Sequence, residues 1–349
     1  MRLPKIKLDH LKTLTDDTGI IQHGKYSVPN KKTGYTTDDN TRALIAALRY
    51  NNLFDDADVA VMAGRYLEFM HYAQKENGKF HNELDYCRNY LDEEGSEDCQ
   101  GRALWACGRA TASSIHKSVK MLAKDMFEKY LPHIFSIDSL RARACFIQGL
   151  YYYHQEYGSE DIKVKIVELA ESLLYGYKEN YEEDWRWFER YLTYDNGKLS
   201  QVLFYVYELT KQRKYLDIAV ESMNFLSELL FIEDKLVLIG QKQWCHKDGP
   251  RSYYDQQPID ADSMVELYST AYRVTGRKEY KQKALTSFEW FLGRNSEGKS
   301  LYDPHTGGCF DGLKPHGVNL NMGAESTVSY LMARLDIEEM KRLKKSDRP

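Results

Sequence analysis

The chain is poor in residues that interrupt helices: eight prolines in 349 residues, where proline in a helix interior removes a hydrogen bond and clashes with the preceding turn. It is also poor in cysteine. The six thiols (Cys87, Cys99, Cys107, Cys145, Cys245 and Cys309) contain no C-x-x-C pair, which argues against a zinc ribbon or a disulfide scaffold and for reduced, mostly buried side chains. There is no excess of basic charge. Lys and Arg number 48 against 52 Asp and Glu, for a formal net charge of −4, so the chain has no electrostatic footprint for nucleic acid or an anionic membrane. The first ten residues lack an apolar core of secretory length, and no later stretch approaches a membrane span. The expectation is a cytoplasmic protein.

What the chain does have is helical periodicity. Val59, Met62, Ala63, Tyr66, Leu67 and Met70 repeat at i, i+3, i+4, i+7, the spacing that puts apolar side chains on one face of a helix. Equivalent stripes run through Ile115 to Tyr130, Ile162 to Tyr177, Leu216 to Leu230 and Tyr280 to Phe291. Between them lie segments apolar around most of their circumference, such as Arg42 to Leu48, Arg102 to Cys107 and Arg141 to Leu150, which are expected to be buried. The two kinds alternate. Asp38-Asp-Asn-Thr-Arg-Ala-Leu44 and Asp98-Cys-Gln-Gly-Arg-Ala-Leu104 match at an interval of 60, Asp39-Asn-Thr-Arg42 resembles Asp195-Asn-Gly-Lys198, and weaker echoes begin at Asp138, Asp260 and Glu325. An acidic or capping residue thus opens each of six inner helices. Six helical hairpins forming one (α/α)6 barrel over residues 1–349 is the all-α architecture this predicts, since each inner helix needs burial on both sides. A short helix over Asp9 to Leu14 is expected ahead of them.

The joints from outer to inner helix are long, roughly 77–97, 179–194, 232–259 and 295–322. Loops of that length in a compact domain usually carry function. They lead to the N-terminal ends of the inner helices, where carboxylates and amides collect: Asp38, Asp39, Asn40, Glu97, Asp98, Gln100, Glu189, Asp195, Asn196, Asp260, Asp262 and Glu325. Aromatic residues accompany them, among them Tyr35, Trp185, Trp187, Phe188, Trp244, Tyr253 and Tyr254, in a chain with 27 tyrosines. Carboxylates for proton transfer, amides for hydroxyls and rings for sugar faces point to a glycan site. The competing reading is that Asp and Asn at helix starts are simply caps. Because a helix N-terminus favours carboxylate over carboxylic acid, capping acids suit a base or nucleophile, and a proton donor needs its pKa raised. Glu189, inside Trp185-Arg-Trp-Phe-Glu189, is the candidate donor. Arg42, Arg102 and Arg143 are expected to pair with neighbouring acids. His246, His305 and His316 lack metal spacing, so no metal and no cofactor are expected, although His246 beside Trp244 is placed to touch substrate. The basic run Lys341 to Lys345 is read as a solvated helix end.

Gly34-Tyr-Thr-Thr-Asp-Asp-Asn-Thr-Arg-Ala-Leu44, Glu97-Asp-Cys-Gln-Gly-Arg-Ala-Leu104, Gln257-Pro-Ile-Asp-Ala261 and Gly323-Ala-Glu-Ser-Thr327 resemble an α-toroid family of carbohydrate-active proteins, similar to the six-hairpin glycosidases and often associated with glycosyltransferases. The resemblance spans about residues 20–335 and implies the (α/α)6 fold and a saccharide substrate. The chain lacks a nucleotide-sugar-binding Rossmann half, which speaks against transfer from a nucleotide sugar. The resulting expectation is a glycoside hydrolase cleaving an oligosaccharide, with a mannoside as one option. Asp39, Asp98, Glu189 and Asp195 are the catalytic candidates. Tyr35, Asp38, Asn40, Glu97, Gln100, Trp185, Trp187, Asn196, Trp244, His246, Tyr254, Asp260, Asp262 and Glu325 are the substrate-binding candidates. The alternatives are a sugar epimerase working through histidines, a polysaccharide lyase with a Tyr or His base, and a non-catalytic glycan-binding protein.

Overall fold

The computed structural model describes residues 3–343. Among them are twelve α-helices: α1 (Asp9–Leu14), α2 (Thr37–Phe54), α3 (Ala57–Ala73), α4 (Glu97–Thr111), α5 (Lys117–Tyr130), α6 (Leu140–Tyr157), α7 (Glu160–Asn180), α8 (Gly197–Thr210), α9 (Arg213–Leu230), α10 (Pro258–Thr275), α11 (Lys278–Glu289) and α12 (Ala324–Arg342). No helix among the described residues is long and apolar enough to cross a membrane. The chain divides into two compact units, residues 11–170 and residues 1–10 with 171–349, with the border inside α7. Lys344 and Lys345 of the basic run lie outside the described residues.

In the unit of residues 11–170, α2 packs on α3 and α4, and α4 packs on α5 and α6. The outer helices follow the amphipathic stripes: Val59, Met62, Ala63, Tyr66, Leu67 and Met70 of α3 are all buried. The inner helices α2, α4 and α6 are buried on most sides, as their apolar circumference requires. Small residues let α4 and α6 approach closely. A Cβ on Gly108 would stand 2.1 Å from the carbonyl oxygen of Gly149, and one on Gly101 would stand 2.8 Å from the Cα of Ala142. The N-termini of these inner helices share one end, because Arg102 near the start of α4 reaches Asp38 at the start of α2, and Glu97 of α4 accepts the backbone N–H groups of Asp138 and Ser139 ahead of α6.

In the unit of residues 1–10 and 171–349, α8 packs on α9 and α10, and α10 packs on α11 and α12. Leu216, Ala219, Met223, Leu226 and Leu230 of α9 are buried, as are Tyr280, Ala284 and Phe288 of α11. Short antiparallel pairings brace the long joints: Tyr191–Leu192 with Cys245–His246 ties two of them together, and Gly312–Lys314 with Gly317–Asn319 forms a hairpin inside a third. In the first unit the same device pairs Tyr35–Thr36 with Glu83–Leu84. Five of the six cysteines are buried and all are free thiols, with Cys87 exposed.

Candidate functional site

The starts of α2, α4 and α6 are capped by hydroxyls. Thr36, Ser96 and Ser139 accept from the backbone N–H groups of Asp39, Cys99 and Ala142. Cap residues of this kind satisfy orphan N–H groups of the first turn. A carboxylate is therefore not the cap of these helices, contrary to the simplest reading of the sequence. At α2 the Thr36 hydroxyl also donates to Asp39 Oδ2 at 2.7 Å, so the Asp39 side chain is tied to the cap residue, and Asp39 is 5% exposed. Of the doubled aspartates, Asp39 is the one tied into helix capping.

Asp38 does something else. Its Oδ2 accepts from Arg102 at 2.7 Å and from Arg42 at 3.2 Å, with the side chain 22% exposed. Burial works against its charge, but the guanidinium groups of Arg102 and Arg42 outweigh burial and hold the carboxyl below its usual 3.8. Asp38 is thus kept as a carboxylate. Asp98 occupies the same place on α4, one residue after the first helical residue, and accepts from the Ser139 hydroxyl at 3.0 Å. The 60-residue repeat therefore places Asp38 and Asp98 alike, and Arg42 and Arg102 both reach Asp38. Arg143 pairs with Asp138 at 3.5 Å, the local pairing anticipated for it. Glu97 takes the backbone of the next inner helix, at 3.1 and 2.6 Å.

Three candidate sugar contacts of this unit turn out to be structural. Asn40 is wholly buried and bonds Ile20 N–H and the Thr36 carbonyl. Gln100, 1% exposed, bonds both the N–H and the carbonyl of Phe80 and the carbonyl of Gly95. Tyr35 is 2% exposed with its hydroxyl on Asp16. A buried amide must be paired, and here each amide pins a loop.

The other unit is built differently. Asn196, Gln257 and Gly323, which precede α8, α10 and α12, make no side-chain cap bond. Carboxylates hold the backbone at the approach to α8 and at the start of α12. Asp260 Oδ1 accepts the N–H of Asp195 at 2.7 Å, where Asp195 turns the chain with φ 49°. Asp311 accepts the Gly323 N–H and the Ser326 hydroxyl, both at 2.6 Å. Asn196 holds the preceding turn through both the N–H and the carbonyl of Thr193. Glu325 is half-buried in the first turn of α12.

Trp185, Trp187 and Phe188 form core rather than a lining for Glu189: Trp187 and Phe188 are buried edge to face, and Trp185 packs on Phe225. The cause is their apolar area, which folding removes from water. Glu189 is half-buried, with its carbonyl on the Trp185 indole, while Arg186 and Arg190 pair with Glu228 and Asp248. The aromatic pair beside an acid is instead Tyr194 and Trp244, half-buried at 6.1 Å and next to Asp195. His246 is exposed, opposite Tyr191. The Tyr254 hydroxyl bonds Glu297.

Sequence reasoning missed Lys198, Glu266 and Asp336. Lys198 and Glu266 form a buried ion pair at 2.5 Å, with side chains 2% and 6% exposed. Asp262, Glu266 and Asp336 each present an oxygen within 4.8 Å of the others, the spacing of a cation site. Lys198 already supplies a cation to Glu266, and Ser269 donates to Asp336 at 2.9 Å. The available signal was polar residues recurring inside otherwise apolar helices.

No protein-family model matches the sequence, and no curated protein matches it. Solved structures do. A cellobiose 2-epimerase from Bacillus thermoamylovorans superposes with a TM-score of 0.76 at 12% identity, covering 96% of each chain. A sugar epimerase from a ruminal bacterium gives 0.75 at 12%, covering 97% of each. An inactive variant of a GH76 α-1,6-mannanase from Salegentibacter, with two consecutive aspartates replaced by alanine and α-1,6-mannotetrose bound, gives 0.65 at 12%, covering 95% of this chain and 96% of that one. The chain has the (α/α)6 fold, as its helix pattern predicted.

Proposed function

We propose that the chain is a carbohydrate-active enzyme that cleaves a glycosidic bond, with Asp38 as the fixed carboxylate of the reaction and Asp98 as its partner acid. The observation that carries this is the division of labour at the start of α2, where Thr36 and Asp39 close the cap and leave Asp38 ionised between Arg42 and Arg102. A carboxylate held in that state suits water activation, nucleophilic attack or stabilisation of an oxocarbenium-like transition state. Asp98 stands one turn before Arg102 on the adjacent helix, and Arg102 reaches across to Asp38. Support comes from the mannanase whose inactive variant lacks two consecutive aspartates, since among the inner helices α2 alone begins with such a pair. Asp195 with Tyr194 and Trp244 offers sugar contacts in its own unit.

Asp38→Asn and Asp98→Asn proteins, assayed on α-1,6-mannotetraose and cellotetraose, are expected to lose turnover by roughly 100-fold or more, while Asp39→Asn loses stability first. Full activity in both of the first two variants, with folding verified, removes the proposal. The epimerase neighbours favour a second reading, 2-epimerisation at a reducing end. It predicts a product of unchanged chain length, and its rim histidine would be His81, which lies 2.9 Å from the Asp92 carbonyl. Chromatography of the products separates the two readings.

A further inference from the structure

A second polar feature lies on the same unit, at the C-terminal end of α3. Tyr72 is 56% exposed, and its ring is held by a ladder of rings rather than left to swing. It stacks on Tyr90 at 5.4 Å, and Tyr90 stacks on His81 at 4.1 Å and 16°. His81 is fixed in turn by the Asp92 carbonyl, and its own carbonyl accepts from Thr37 at the start of α2. Asn82, next in the chain, accepts from Asp38 N–H at 3.2 Å. The ring ladder therefore runs from the residues around Asp38 out to Tyr72.

Tyr72 and Glu68 form a shared wall between two adjoining clefts of about 270 and 420 Å³, the first just under and the second inside the lower range for small-ligand sites. Asp17 and Arg88 lie in one, joined at 3.2 Å, and His71 lies in the other. Acidic and basic groups are mixed, which selects neither an anion nor a cation. The walls join the Phe69 and Tyr72 rings to carboxylate, guanidinium, amide and hydroxyl groups, a mixture that suits neither a lipid chain nor a wholly apolar helix face. A flat aromatic face flanked by carboxylate and guanidinium groups matches a neutral polyhydroxyl ring, with C–H groups on the tyrosine and hydroxyls on its neighbours.

We propose that the two clefts beside Tyr72 form an outer binding site for a neutral oligosaccharide, one ring stacking on Tyr72 and its hydroxyls meeting Asp17, Glu68 and Arg88. Its ligand class rests on the glycan-processing reading above, but none of the side chains placed against the sugar is given to the reaction. Calorimetric titration of α-1,6-mannotetraose and cellotetraose into the wild-type chain, Tyr72→Ala and Tyr72→Trp tests it. Tyr72→Ala is expected to weaken binding of at least one tetrasaccharide roughly tenfold, the size of one lost aromatic contact, and Tyr72→Trp to keep it. Asp38→Asn is expected to retain the Tyr72-dependent binding. Equal affinity in wild type and Tyr72→Ala, or no binding of either sugar by the wild type at millimolar concentration, overturns the proposal. Tyr72-dependent binding in a wild-type chain without turnover supports this site and sinks only the enzymatic reading.

Discussion

The inner helices of the two units begin in opposite ways. In residues 11–170 a local Thr or Ser caps each inner helix, and at α2 this leaves Asp38 of the first turn to meet Arg42 and Arg102. In the other unit no residue before α8, α10 or α12 makes a side-chain cap bond, and Asp260 and Asp311 reach in from other segments to hold the backbone. The balance of buried charge differs as well, with arginines outnumbering the buried Asp39 in the first set and acids outnumbering the buried Lys198 and Arg334 in the second. Arg42, Arg49, Arg102 and Arg141 lie along the first set of inner helices, whereas Asp260, Asp262, Glu266 and Asp336 lie along the second. An acid at a helix start therefore has no fixed meaning. Where a hydroxyl satisfies the orphan N–H groups, the carboxylate is available for chemistry, and where none does, the carboxylate becomes part of the frame.

The largest expected effect tests the framing role. Lys198 sits in the first turn of α8, at the positive end of the helix dipole, and only a buried partner makes that position tolerable. Glu266→Ala is expected to cost about 3–5 kcal/mol, the range for breaking a buried pair and leaving one charge behind, read as a lowered midpoint in urea. A loss below about 1 kcal/mol, the size of an exposed pair, would mean that the two units do not differ in this respect. The capping contrast is smaller. Thr36→Ala and Ser139→Ala should each cost about 1 kcal/mol, and Gln257→Ala, with no cap bond to lose, should stay within about 0.5 kcal/mol. Equal losses at all three would break the comparison.

The smallest effect is a slope, at most one proton's worth, with different windows in the two units. His10 is buried in the unit of residues 1–10 and 171–349, with Nε2 3.1 Å from the Met322 carbonyl. Burial lowers its pKa from 6.5 against the raising influence of that bond and of Asp303 and Asp311. The folded chain then binds the proton less readily than the unfolded one, so stability falls as pH drops below about 6.5. Asp38 has a depressed pKa, and its stabilisation is complete above 3.8 and lost only as pH falls further toward the folded value. Urea midpoints measured from pH 7 to pH 3 should show the first decline in wild type and a flatter one in His10→Gln, with Asp38→Asn altering only the acid end. An unchanged slope between pH 6.5 and 5 in His10→Gln would remove His10 as its source.

Much of the fold was readable because it depends on local periodicity. The stripes of α3, α7 and α9 are buried at every residue named for them, and the short helix appears at Asp9–Leu14. The repeat at 60 residues also placed Asp38 and Asp98 at equivalent turns. What the pattern could not rank was use. Asn40 and Gln100 have the composition of sugar ligands, yet their amides are consumed by Ile20 and Phe80, each 20 residues away in the chain. Trp187 has the composition of a sugar platform and is core. Composition reports what a side chain can bind, and burial decides which partner reaches it first.

The sequence by itself determined the helical segments that carry an apolar stripe, the alternation of buried with amphipathic ones and the gathering of acids at inner-helix starts, because spacing along a helix is a property of the chain alone. Only the tertiary structure decided that Asp39 closes a cap while Asp38 is held between two arginines, that Asp260 supports the turn at Asp195, and that Lys198 answers Glu266. Those choices depend on groups brought together by packing, where the nearest hydrogen-bond partner and the loss of water set the role of each charge.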